Sequence, residues 1–283
     1  MKLILIHGRA QEGKDEKELK KEWLEALQAG FDFHDHKLTD KVNVHFLYYG
    51  DLLNTLIHDT KIKDGIIVKG AESAAALQFM QELLLEIAEE KAISIETDIH
   101  QKGILNWEWM QKVLAFADGY DSIGGFSLRQ FTNDVYHYLT NGAIRRRVDE
   151  FIKGAISELG DEDCVVVAHS LGTVVAYNVL NTLSTNNVKK FLTLGSPLAV
   201  KAIKNKLSTP LKFPSCIRNG WYNAYDEKDF VSLYPLTPEY FQIGKEIVNN
   251  NKVDNPSDNH HNITGYLCDK EVAKEIYNAC GPD

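Results

Sequence analysis

The 283 residues, 44% hydrophobic and 25% charged, have an ordinary globular composition that excludes disorder and is long enough for one α/β domain carrying an inserted lobe. A formal charge of −9 argues against nucleic acid and anionic membrane surfaces as partners, and no apolar run approaches the roughly 20 residues of a transmembrane helix. Cys164, Cys216, Cys268 and Cys280 lack Cys-x-x-Cys spacing, so neither a zinc site nor a disulfide framework is expected, and a reducing cytoplasm fits best.

In chain order, Leu3–Ile6 reads as a fully buried strand, too short for the core of a signal peptide, ending at His7-Gly8-Arg9. Residues 15–29 place Leu19, Trp23, Ala26 and Leu27 on one face, with acids at the start and Gly30 past the end, the signature of a capped amphipathic helix. A loop follows, in which His34-Asp35-His36 lacks the further ligands that a metal site needs. Val42, Val44, Phe46 and Leu47 form the next strand, and the strand, helix, strand order predicts a doubly wound, mostly parallel sheet.

Residues 52–140 break that alternation and predict a helical insertion with no clear strand. Its helix at 72–90 carries Leu77, Phe79, Met80, Leu83, Leu84 and Ile87 over an arc of roughly 160°, wide enough to be covered on more than one side. Residues 93–105 read as loop. Helical segments follow at Trp107–Ala117 and Phe131–Leu139, separated by a Gly-rich turn at 118–125. Such an insertion suits either a cap over a binding site or a helical lobe that only packs on the sheet or forms a dimer contact. A strong helical stripe from Ile144 to Leu159 then includes Arg145-Arg146-Arg147, expected as a solvated face.

Val165-Val166-Val167 is a buried strand that runs into the helical pattern of Leu171, Val174, Val175 and Val179 through one serine, Ser170. So tight a turn needs small residues two positions either side, and Ala168 and Gly172 stand there. The hydroxyl would project above the strand ends, with the Leu171 N–H at a helix start where positive potential collects. Val188–Leu194 forms another strand, ending at Gly195-Ser196-Pro197. Ser196 is a poorer nucleophile candidate, because Pro197 blocks an immediate helix and no second small residue sits at the required spacing. Trp221–Tyr225 gives a further strand, followed by a loop holding Asp226 and Asp229. A last strand is expected within Tyr240–Val248, then a loop through Asp258, then a terminal helix with Val272, Ile276 and Tyr277. An alcohol needs a base to remove its proton, and an acid to orient that base.

The strand with His7-Gly8, the segment Ala168-His169-Ser170-Leu171-Gly172, Asp229-x-Val231 and a late histidine resemble, in this order, the α/β-hydrolase superfamily, in particular its lipase and esterase members and the branch similar to inositol-deacylating enzymes. The resemblance covers residues 1–50 and 144–283. It implies a serine, acid, histidine chain order, so the base is His260 or His261, the two of ten histidines that follow Ser170. Asp226 and Asp229 are both placed to orient it. The family pattern points to Asp229, which precedes x-Val, and to His261, which is followed by Tyr-Leu. It further implies an oxyanion hole from the N–H groups of Arg9 and Leu171, no cofactor and no metal. The expected activity is hydrolysis of a carboxylic ester of a small molecule or lipid through an acyl-enzyme. Acyl transfer and thioester cleavage use the same residues, and the rival from another class is a non-catalytic scaffold on the same fold.

Overall fold

The computed structural model describes residues 1–8, 11, 13–63, 73–95, 107–120, 128–158, 160, 162–185, 187–256 and 259–281. Six strands form one all-parallel sheet in the order β2-β1-β3-β4-β5-β6: β1 (Lys2–Ile6), β2 (Asn43–Leu47), β3 (Cys164–His169), β4 (Val188–Leu194), β5 (Trp221–Ala224) and β6 (Val248–Asn250). The unbroken apolar runs of β1 and β3 follow from burial on both faces, since successive side chains alternate across the sheet. Leu3, Leu5, Val165, Val167, Leu192 and Leu194 enter one core. Ile4, Ile6, Val166, Ala168, Phe191 and Trp221 enter the other.

The first core is closed by α1 (Glu16–Asp32), α9 (Ile263–Cys268) and α10 (Lys270–Cys280), so the last helices of the described chain pack on the first. α1 does not stop before Gly30, as the sequence had suggested, but continues to Asp32. The reason is packing: a Cβ at Gly30 would sit 2.6 Å from the Ala273 Cβ and 2.6 Å from the Leu267 carbonyl oxygen, so this glycine admits α9 and α10 against the helix. His34 and His36 lock the same corner, through His34 Nε2 at 3.0 Å from the Lys270 carbonyl and a stack of His36 on Tyr277.

The second core is covered by α2 (Gly50–Lys63), α3 (Ala74–Glu90), α4 (Trp107–Tyr120), α5 (Leu128–Thr140), α6 (Gly142–Glu158), α7 (Leu171–Leu180) and α8 (Lys201–Lys204). The helical segment between β2 and β3 shares its core with the sheet, because Phe79, Met80, Leu83, Trp109, Met110, Phe131 and Val135 cluster with Ile4, Ile6, Val166 and Ala168. The wide face of α3 is covered within the chain by α4, α5 and α8. Its one buried acid, Glu86, accepts the Lys201 N–H at 2.8 Å and the Ala202 N–H at 3.3 Å, satisfying the start of α8. Residues 96–105, the Gly-rich stretch from 121 to 125 and Leu159 lie outside the described residues.

The final strand falls later than expected, at Val248–Asn250. Asn249 and Asn250 are turn formers in isolation. Here their side chains have work outside a turn: Asn249 Oδ1 accepts the Leu236 N–H at 2.8 Å, and Asn250 Nδ2 donates to Tyr222 Oη at 2.9 Å. Among the described residues no helix is long and apolar enough to cross a membrane.

Candidate active site

The chain leaves β1 toward β2 on one side and returns with β3 on the other, so the sheet has a topological switch point at the carboxyl ends of β1 and β3. Parallel sheets bind ligands at such switch points. Ser170 stands there, between β3 and α7, at φ 55°, ψ −131°. A β-carbon is strained in this region, typically by about 1–3 kcal/mol. The surroundings hold it: Ser170 N–H donates to the Leu194 carbonyl at 3.1 Å, and the Ser170 carbonyl accepts from Thr173 N–H at 2.9 Å and Thr173 Oγ1 at 2.7 Å. The small residues that the sequence marked are explained by contact. A Cβ on Gly172 would overlap the carbonyl oxygens of Ile6 and His7, and one on Gly8 would lie 2.6 Å from the Ser170 Cβ.

His261, on the turn before α9, brings its Nε2 to 2.7 Å from Ser170 Oγ and its Nδ1 to 2.8 Å from Asp229 Oδ2. All three side chains are buried. Burial works to raise the pKa of Asp229, but the facing His261 charge and the hydrogen bonds from His261, Val231 N–H and Tyr266 outweigh it and hold the carboxyl at about 2. Oδ1 accepts Val231 N–H at 2.7 Å, while Oδ2 also accepts Ser232 Oγ and Tyr266 Oη, each at 2.8 Å. A carboxylate only accepts, so the His261 proton rests on Nδ1 and Nε2 is free to accept from the serine hydroxyl. Gly195, at φ 57°, lies under this pair: a Cβ there would be 3.2 Å from Asp229 Oδ2 and from His261 Nδ1.

The competing candidates go elsewhere. His260 turns away and sets its Nδ1 3.1 Å from Asp226 Oδ2, whose carboxylate is further held by Lys228 N–H at 2.8 Å and Asn255 N–H at 3.0 Å. Ser196 Oγ is 2.8 Å from Thr173 Oγ1, behind the turn that carries Ser170.

Leu171 opens α7 at its first turn, where a backbone N–H lacks an intrahelical acceptor. Arg9, the second expected donor, lies outside the described residues. His7, two residues before it, is fully enclosed: Tyr49 N–H donates to His7 Nε2 at 3.0 Å, so Nδ1 carries the proton toward the Gly8 carbonyl. Burial, above all, lowers the His7 pKa to about 4 and keeps the ring neutral.

Of the residues that support this site, Ser232, Thr173 and Asn259 carried no role in the sequence reading. Tyr266, Ser232, Thr173 and Gly195 buttress the three central side chains, and Asn259 Oδ1 accepts the His261 N–H at 2.8 Å. An Asn two residues before a buried backbone N–H is a local turn signal that sequence alone offers. From the helical segment, Phe131 faces His261 edge-on at 6.4 Å between ring centroids. Lys91, at the end of α3, donates to the Glu227 carbonyl at 2.6 Å and lies 5.5 Å from the centre of the Phe230 ring, so it grips the loop that carries Asp229. Among the described residues no cluster of three or more His, Cys, Asp or Glu side chains is arranged to hold a metal ion. Compared with models of protein families the chain matches none, and no curated protein matches it either.

Proposed function

We propose that this protein is a serine hydrolase of the α/β-hydrolase type that cleaves carboxylic esters through an acyl-enzyme on Ser170. The observation that carries the reading is the unbroken line of contacts from Asp229 Oδ2 through the His261 ring to Ser170 Oγ, at 2.8 and 2.7 Å. In this reading Ser170 Oγ attacks the ester carbonyl carbon while His261 Nε2 takes its proton. Asp229 fixes the tautomer and stabilises the imidazolium that forms. The tetrahedral oxyanion is bound by Leu171 N–H and, as the sequence suggests, by Arg9 N–H, donors each worth about 100- to 1,000-fold in rate. The imidazolium then protonates the leaving alkoxide, and a water deprotonated by His261 attacks the acyl carbon and releases the acid. These steps need no metal or organic cofactor. Small-molecule and lipid esters both fit the chemistry, and the flanking Phe131 favours an apolar group beside the base.

The strained φ of Ser170 adds support, because backbone strain at a buried hydroxyl has no packing benefit of its own. The scaffold alternative loses its one hint, the wide apolar face of α3, which is covered within the chain. A fluorophosphonate probe tests the proposal. Wild type should gain one phosphonyl adduct by mass spectrometry, and Ser170→Ala should gain none. A folded wild type left unlabelled by excess probe would overturn it.

A further inference from the structure

His169 is the residue before the proposed nucleophile and closes β3 directly after the apolar run Val165–Ala168. By strand alternation it points with Val165 and Val167 toward α1 and α9, where it is 8% exposed. Trp23 meets it edge-on at 6.3 Å and Tyr266 lies at 6.0 Å, both between ring centroids. Its Nε2 is 2.9 Å from the main-chain oxygen of His261, and the two imidazole centroids are 4.7 Å apart at 32°. A carbonyl only accepts, so the His169 proton is on Nε2. Burial above all, and next the proximity of His261, lower the His169 pKa well below 6.5, so the His169 ring stays neutral.

We propose that His169 is a positioning residue for the base: its Nε2–H holds the His261 carbonyl from the same strand that delivers Ser170, so the base is gripped by two consecutive residues. Other bonds tie the 259–262 turn to its own surroundings, through Asn259 Oδ1 to His261 N–H and through Asn255 Nδ2 to the carbonyls of His260 and Asn262. The His169 bond is of another kind, since it references the turn to the nucleophile. Consecutive Cα atoms are about 3.8 Å apart, and the two anchor points belong to a single residue, Nε2 at the ring tip and O on the main chain. Together they fix both the separation of His261 from Ser170 and the rotation of its ring. The catalytic consequence rests on the serine hydrolase reading. The grip itself does not.

Two variants separate positioning from mere filling of space. His169→Phe keeps a ring and loses the donor, whereas His169→Gln keeps an N–H donor. Turnover of a short-chain p-nitrophenyl ester is compared with the proton NMR signal of the His261 Nδ1–H that faces Asp229. With His169→Phe we expect kcat to fall about 10- to 100-fold at a KM within about twofold, the scale of loss that a misplacement of about 1 Å produces. The Nδ1–H signal should shift or broaden. His169→Gln should return both readouts toward wild type. An unshifted signal and unchanged kcat in His169→Phe overturn the proposal, as does a His169→Gln variant no better than His169→Phe. If wild type neither reacts with fluorophosphonate nor hydrolyses the ester, the hydrolase reading fails alone, and the NMR comparison still decides the grip. Should His169→Phe not fold, His169→Asn, whose donor falls short of the carbonyl, replaces it in the same measurements.

Discussion

Two histidines adjacent in sequence each hold an aspartate from one short loop, and the difference between the pairs is instructive. His260 with Asp226 and His261 with Asp229 make comparable bonds, at 3.1 and 2.8 Å. The first pair keeps its histidine side chain 16% exposed and joins two loops, with backbone N–H groups completing the shell of Asp226. In the second pair both side chains are almost fully enclosed, and the other imidazole nitrogen reaches a hydroxyl. A His–Asp contact alone is thus a staple between loops. It becomes a device for moving protons when its outer nitrogen is aimed at a group that can lose one.

Exchanging the two pairs by mutation gives the largest expected effects. His261→Ala should lower kcat/KM for ester hydrolysis by about 10⁶-fold, the scale known for such bases, while His260→Ala stays within about tenfold of wild type. Equal losses would break the distinction. Next come the acids. Asp229→Asn should cost about 10⁴-fold in kcat, because the amide donates where the His261 tautomer requires an acceptor. Asp226→Asn should leave kcat within about tenfold and instead lower unfolding stability by about 1–3 kcal/mol, read by urea denaturation, as its loop bonds weaken.

Acid stability sharpens the comparison. The Asp229 carboxyl is held at about 2 against an ordinary 3.8, so the unfolded chain takes up its proton first as pH falls. The contribution, on the order of 2 kcal/mol, is complete above the unfolded value and disappears as pH drops through the folded one. An earlier loss begins below 6.5, because His7 accepts a proton in the unfolded chain but, folded, only near 4. Urea midpoints between pH 7 and 2 should therefore fall in two stages, and Asp229→Asn should abolish the lower stage alone. The smallest effect belongs to Lys91→Met, which removes the donor to Glu227 O from α3. A rate within about threefold of wild type and a loss of about 1 kcal/mol by thermal unfolding are expected. A 100-fold rate loss would mean that the helical segment, more than Tyr266 and Ser232, holds Asp229 in place.

The parts of this molecule that local chemistry dictates were legible without coordinates. β1 and β3 are readable because burial on both faces forces continuous apolar runs, and the turn at Ser170 because Gly172 has no room for a side chain. The juxtaposition of Ser170, His261 and Asp229 followed from resemblance and chain order, while the choice of His261 over His260 is a matter of which way one turn faces. Helix α2 escaped notice, since Gly50, Asp51, Asn54 and Thr55 are weak helix formers and tertiary contact through Leu53 and Ile57 decides its state. β6 was misplaced because the use of Asn249 depends on Leu236, which is remote in sequence. Gly30 misled for the same reason, its purpose lying in a helix more than two hundred residues away.

The docking of α9 and α10 on α1 has a bearing on when the molecule can begin to work. The imidazole sits just ahead of those two helices, so a chain still being synthesised, threaded out only as far as α8, would already own its hydroxyl yet have nothing to activate it. In the proposed reading the base reaches the hydroxyl only once α9 and α10 settle into the notch that Gly30 leaves open. Under the serine hydrolase reading proposed above, a side chain crowding that notch would then silence turnover from some distance without touching a single reacting atom.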